Sequence, residues 1–404
     1  MNADPPVPAL ASGADAMALL SAMYSPDLFD LIRNGAVMHV TACYESTSDA
    51  EEDARGRGLY TLKIDDASPK SEWDFFVLNS VRALSDASLI SGELLRAEPN
   101  LSCAIQGRPD IVAALSALRR DLARSSADQV TVSEQEALDT HRHTCILSSL
   151  LHEQHASSSE SVIGPEHCKI PLDHPIFATG GGQKSTIIVP PTAFHRICTS
   201  YTDISCTAST CTDSACIAVD DSSTAGPKNV IRTSLAVHSL FSRPPSGEQP
   251  TARIATVVSG AQSQSENDSS PDIDVSHAIK TIRALGYPRI GVELGPNSTC
   301  ELYQSSATGE RVDVLFLSVF RGPLGRSFRD ALVLDRKISA GSQGKDTLEG
   351  CSAAFTWDEI QDQFSPVGTP FRPGTRDDDT GTEMDHRRHK GWTFYLFRRK
   401  RKVL

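Results

Sequence analysis

The stretch SSPDIDVSHAIKTIRALGY (269–287), followed by GERVDVLFLSVF (309–320), decides how this chain is read. Asp272 and Asp274 are separated by one residue, and Asp313 stands in an apolar run with the character of a strand. Alternation in a strand would put Asp272 and Asp274 on one face, and an adjacent strand would bring Asp313 beside them. Three converging carboxylates suit Mg²⁺, which takes hard oxygen ligands. The same residues have a plainer reading, and it is the one preferred here. Asp272 and Asp274 cap a helix beginning near Ser276, where acids favour the positive helix end, and Asp313 opens a core strand.

Working outward, ARIATVVSG (252–260) reads as a strand, and eleven mostly polar residues separate it from the aspartates. Residues 252–320 thereby resemble the nucleotidyltransferase superfamily, the fold shared by polymerase-β-like and CCA-adding enzymes. The resemblance implies Mg²⁺ held by Asp272, Asp274 and Asp313 as catalytic residues. It also implies a triphosphate held at Ser259-Gly260, which stand in the reverse of the family's glycine-serine order. Two such ions would activate the attacking hydroxyl and stabilise the leaving pyrophosphate.

Composition narrows the alternatives. Hydrophobic residues are 39% and aromatics 6% of the 404 residues, so part of the length is expected outside a packed core. No apolar run reaches the eighteen residues of a membrane span. The first residues, MNADPPVPAL, lack a basic segment and read as a leader, not a secretion signal. Eight of the 39 Lys and Arg fall between His386 and Leu404, which hold no Asp or Glu; the rest balances 31 basic against 51 acidic side chains. An acidic body disfavours broad nucleic-acid binding. Ten cysteines are too sparse for a disulfide scaffold, which points to an intracellular, reducing setting.

The fold class expected is α/β or α+β, with two modest mixed α/β parts flanking a flexible insertion rich in Ser, Thr, Cys and His. The divisions are a leader (1–10), an N-terminal part (11–155), the insertion (156–227), a C-terminal part (228–340) and an irregular tail (341–404). Helical spacing marks 14–24, 25–35, 72–84 and 109–125, and Ser133 with Glu136 forms a capping box that predicts a helix to about Gln154. Strands are expected at 36–44, 58–64 and 185–191, and GWTFYLF (391–397) as an edge strand.

Three further motifs invite chemistry. FATGGGQKSTII (177–188) lacks the P-loop glycines, with Gln183 and Ala178 at their places, and leads into a β-branched run. Seven of the twelve histidines and six of the ten cysteines lie between His141 and Cys216. Zinc would accept Cys198, Cys206, Cys211 and Cys216, although no paired C-x₂-C knuckle is present. The run RRKRK, Arg398–Lys402, suits a nuclear-localisation signal or contact with nucleic acid or another polyanion. With no intact catalytic motif, the sequence favours a non-enzymatic protein-protein interaction or assembly subunit, nuclear or viral, with other protein subunits as partners, no membrane contact and no cofactor. The alternatives are the Mg²⁺-dependent nucleotidyltransferase and a zinc-binding module in 141–216.

Overall fold

The computed structural model describes residues 4–45, 58–62, 68–98, 100–126, 143–147, 174, 176, 184–189, 215–219, 231–235, 237–241, 253–259, 275–295, 299, 302–303, 310–322, 355–374 and 391–400. The elements follow in chain order: α1 (Gly13–Met23), α2 (Leu28–Arg33), β1 (Ala36–Glu45), β2 (Gly58–Thr61), α3 (Glu72–Leu84), β3 (Ala87–Ser91), α4 (Gly92–Ala97) and α5 (Pro109–Ser126). Then come β4 (His143–Leu147), β5 (Lys184–Val189), β6 (Ala215–Val219), β7 (Ile231–Leu235), β8 (Val237–Phe241), β9 (Arg253–Ser259), α6 (Val275–Ala284) and β10 (Arg289–Val292). The chain continues through β11 (Val314–Phe320), β12 (Phe355–Thr356), α7 (Trp357–Gln363), β13 (Phe364–Pro366) and β14 (Trp392–Arg399).

The class is mixed α/β, as the sequence pattern implies. The main sheet runs β13-β14-β11-β1-β10-β3-β4-β5-β9-β8. Its middle, from β11 to β9, is parallel throughout, and antiparallel strands close both sides. β1 pairs in parallel with β10 (Ala36↔Arg289) and with β11 (Met38↔Val314). Its last residues also pair with β2 (Cys43↔Thr61). Strands from 11–155 and from 228–340 therefore share one sheet.

Alternation along β1 and β11 sends side chains to two cores. On one face Ala36, Met38, Val314 and Phe316 meet α1, α3 and α5. The helices supply apolar stripes at three- and four-residue spacing: Ala16, Leu20 and Met23 from α1, and Ile111, Leu115 and Leu118 from α5. On the other face Val37, Leu315 and Leu317 meet Val275, Ala278, Ile279 and Ile282 of α6. Ser12 and Ser71 cap α1 and α3 through their hydroxyls, and Thr356 with Glu359 forms a capping box on α7. From Asp4 the leader is held against the helices. Trp73 donates its indole N–H to Pro5 O (2.6 Å), and Arg108 donates to Val7 O (2.8 Å).

Two local expectations are corrected. The helix expected over 133–154 contains a strand instead, because His143–Leu147 pairs in parallel with both β3 and β5. Ladders on both sides satisfy the backbone of this short apolar run, which outweighs the capping signal upstream. GWTFYLF is not an edge, since β14 is flanked by β11 and β13. The insertion lies mostly outside the described residues; within it β5 forms as expected.

The approach of α1 to α5 tests this packing. A Cβ on Gly13 would lie 2.7 Å from the backbone nitrogen of Leu118. Gly13→Ala should therefore push α1 off α5 and cost about 1–3 kcal/mol, read as a lower urea midpoint at unchanged m-value. An unchanged midpoint would refute this close approach.

Candidate active site at the carboxyl edge of the sheet

Ligands of parallel α/β sheets bind in crevices outside the carboxyl ends of the strands. Here the carboxyl ends of β1, β10 and β11 are framed by two buried ion pairs. Arg82 of α3 grips Glu293, the residue after β10, through Nε (3.0 Å) and Nη2 (2.7 Å). Its Nη1 donates to Ala104 O (3.1 Å), and Ser88 Oγ approaches the same carboxylate (3.4 Å). Arg321, just past β11, donates Nε to Glu45 at the end of β1 (2.5 Å). Its other nitrogens reach Thr393 Oγ1 (3.0 Å) and Tyr395 OH (2.9 Å), and Trp357 donates its indole N–H to Glu45 (3.0 Å). These pairs are saturated with partners, which suits a fixed frame more than a reacting group.

Asp74 differs. It stands in the first turn of α3, half-buried, with protein crowded around its carboxyl. Burial pushes the carboxyl up to about 6, with the Ser318 hydroxyl of β11 pulling the other way. The buried Tyr24 hydroxyl has no hydrogen-bond partner among the described residues. The Asp74 charge is felt by Tyr24, whose hydroxyl is raised well above its ordinary value, chiefly by burial. It is also felt by Cys43, which burial pushes up to about 12, with the Thr41 and Thr61 hydroxyls opposing. Cys43 is thus a protonated thiol and a poor nucleophile at neutral pH. A carboxyl protonated near pH 6 beside a hydroxyl can donate and recover a proton.

His39 lies buried on the opposite face of β1. A carbonyl only accepts, so the contact of Nε2 with Leu294 O (3.4 Å) places the proton there, and Nδ1 accepts from the Tyr303 hydroxyl. Burial lowers His39 to about 4, with the bond to Leu294 opposing. It is a neutral tether between β1 and the segment after β10.

The residues singled out in the sequence do not assemble here. Asp313 is at the other end of β11: its carboxylate accepts the Val37 N–H (2.9 Å) and lies 3.8 Å from Arg283. It opens a core strand, as the plainer reading held. Asp272, Asp274 and Gly260 lie outside the described residues, as do Cys198, Cys206 and Cys211; Ser259 ends β9 and Cys216 is in β6. Among the described residues no three His, Cys, Asp or Glu are grouped to hold a metal ion. Arg398 and Arg399 belong to β14, not to a free basic tail, and Arg399 donates to Leu302 O (3.1 Å) and Tyr303 O (2.9 Å). The nuclear-signal reading loses its support. Among the described residues, no helix is long and apolar enough to cross a membrane.

No family model and no curated protein matches the chain. Solved structures do. A pyrimidine reductase-like protein from Corynebacterium diphtheriae matches at 11% identity and a TM-score of 0.39, covering 95% of this chain and 98% of that one. The riboflavin biosynthesis reductase Rib7 of Saccharomyces cerevisiae matches at 10% and 0.36, covering 93% and 100%. A diaminohydroxyphosphoribosylaminopyrimidine deaminase/5-amino-6-(5-phosphoribosylamino)uracil reductase from Thermotoga maritima matches at 10% and 0.34, covering 91% of this chain but 57% of its own length. By name these are a reductase-like protein, a reductase and a deaminase/reductase. With Asp313 occupied in opening β11, the nucleotidyltransferase resemblance is withdrawn. The reading as a non-enzymatic assembly subunit is withdrawn as well; the structures above bear the names of enzymes. Asp74 escaped the sequence reading because an acid in a first helical turn is ordinary; its flanking Trp73 and Phe76, both buried, were the available signal.

The two shifted groups oppose each other in pH. Asp74 has a folded value above its ordinary 3.8, so its stabilisation is full below that and lost as pH rises through about 6. His39 has a folded value below 6.5, so its stabilisation is full above that and lost as pH falls towards 4. Between pH 4 and 6 they partly cancel. Asp74→Asn should expose the His39 slope, with stability falling from pH 6.5 to 4 by on the order of 2–3 kcal/mol more than in the parent. Parallel pH profiles for parent and variant in chemical denaturation would contradict this.

Proposed function

We propose that the chain is an enzyme of the reductase class, with Asp74 the proton donor at the carboxyl edge of β1 and β11. One observation carries the reading: a carboxyl titrating near 6 has the Ser318 hydroxyl beside it and acts on the buried Tyr24 hydroxyl, which has no hydrogen-bond partner among the described residues. Groups of this kind form hydrogen bonds when a polar substrate enters.

A two-electron reduction adds a hydride to one substrate atom and a proton to its neighbour. A nicotinamide dinucleotide, when bound, would supply the hydride. Gly295, past the end of β10, leaves room for such a group, with nothing within 4 Å of a Cβ built on it. Its carbonyl accepts the N–H and the hydroxyl of Thr299 (3.2 Å each). A backbone free of a side chain there lets a pyrophosphate approach. Asp74 gives its proton to the substrate heteroatom, is left as carboxylate, and is reprotonated from solvent. Ser318 and Tyr24 orient the substrate by hydrogen bonds. The Arg82–Glu293 and Arg321–Glu45 pairs hold β10 and β11 so that donor and acceptor keep their spacing.

The test is direct. Reduced nicotinamide dinucleotides should bind the full chain and quench its tryptophan fluorescence. Pyrimidine substrates, suggested for assay by the names of the matching proteins, should be reduced with a rate falling as pH rises through about 6. Asp74→Asn should keep dinucleotide binding and lose about 10²–10⁴-fold in kcat. Full turnover in that variant, or no dinucleotide binding, would refute the proposal.

A further inference from the structure

At the opposite, amino end of the same strands lies a cleft of about 810 Å³. Its wall carries Arg283 of α6, Arg311 before β11, Arg398 and Arg399 of β14, Lys400, and one acid, Asp313. Five cations and one carboxylate meet here on a chain whose net charge is −12. They come from three separate stretches of sequence, so the cluster is made by folding and not by the basic run alone.

The pairing within the cleft is incomplete. Arg283 reaches Glu310 and Asp313 only at 3.5 and 3.8 Å. Asp313 is committed on one oxygen to the Val37 N–H. Arg311 and Arg398 are exposed and form no ion pair with a described residue, and Lys400 donates to the carbonyl of Gln361. Arg399 is tied to carbonyls, and its proton is held less tightly than usual, first through burial and then through the neighbouring Arg311. Like charges gathered at this density repel, and an anion between them relieves that repulsion. Guanidinium groups match phosphate oxygens in pairs. The volume is that of a small-molecule site, not of a long groove.

We propose that this cleft binds a small organic ligand carrying two or more phosphate groups. Arg283, Arg311, Arg398 and Lys400 hold the phosphates, and Asp313 on the same wall accepts a ligand hydroxyl. The site lies at the far end of the strands from Asp74 and is independent of the proposed reduction.

Calorimetric titration of the full chain tests it, with inorganic tripolyphosphate and adenosine diphosphate as probes, citrate as a carboxylate control and a single-stranded oligonucleotide as a polymer control. Both phosphate probes should bind, more weakly as salt rises from low to physiological. The double variant Arg311→Gln/Arg398→Gln replaces exposed side chains. It should weaken binding at least about tenfold while its melting temperature without ligand stays equal or rises. The same double variant should bind reduced nicotinamide dinucleotide like the parent, which separates this site from the proposed cofactor site. Equal binding of the phosphate probes by the double variant, or none by the parent, would overturn the site. Citrate binding as tightly as tripolyphosphate would overturn the phosphate assignment, and tighter binding of the oligonucleotide would overturn the small-ligand assignment.

Discussion

The structure depends on β1 being hydrogen-bonded on both sides and buried on both faces. Its ten residues join β10 and β11, which lie more than 240 residues later in the chain. Val37 and Met38 are wholly buried on opposite faces, each in a different core. Apolar burial of this kind contributes about 25 cal/mol per Å² removed from water, and without the two late strands β1 would leave both its ladders open. Asp313 secures the start of the arrangement by accepting the Val37 N–H, while the carbonyl of Val37 accepts the Asp313 N–H (2.9 Å). The pair sets the register from which every later contact between β1 and β11 follows.

That register also sorts the charges. Moving from Asp313 along β11 leads to Ser318 on one face and Arg321 at the far end, so a fixed alternation delivers a hydroxyl to Asp74 and a guanidinium to Glu45. A slip of one residue would exchange the two faces and leave Glu45 buried without its cation. The ion pairs thus act as checks on register as much as sources of stability, because a buried charge stripped of its partner is costly.

Much of the architecture was legible locally. The stripes of α1, α3, α5 and α6 and the apolar runs of β1, β9 and β11 declare themselves through periodicity. The β4 strand did not, because a capping box at Ser133 and Glu136 speaks for helix and only the neighbours β3 and β5 speak for strand. The site was less legible for the same reason. Asp74, Ser318 and Tyr24 are each unexceptional in sequence, and their meeting is a product of topology. Asp272, Asp274 and Asp313 stood out because their spacing imitates a known pattern, yet spacing says nothing about which end of a strand a carboxylate occupies.

The order of the strands also has a consequence for how the chain reaches this state. β11 is seven buried residues, Val314–Phe320, and one of its ladders is completed only by β14, some seventy residues downstream. Until Trp392–Arg399 leaves the ribosome, β11 has an apolar, unpaired edge, the kind of template that recruits other chains. The sheet is therefore completed late and over long sequence separations, which makes folding slow. The chain is most vulnerable to aggregation during its own synthesis, and a nascent chain stalled between β11 and β14 would be a natural substrate for chaperones.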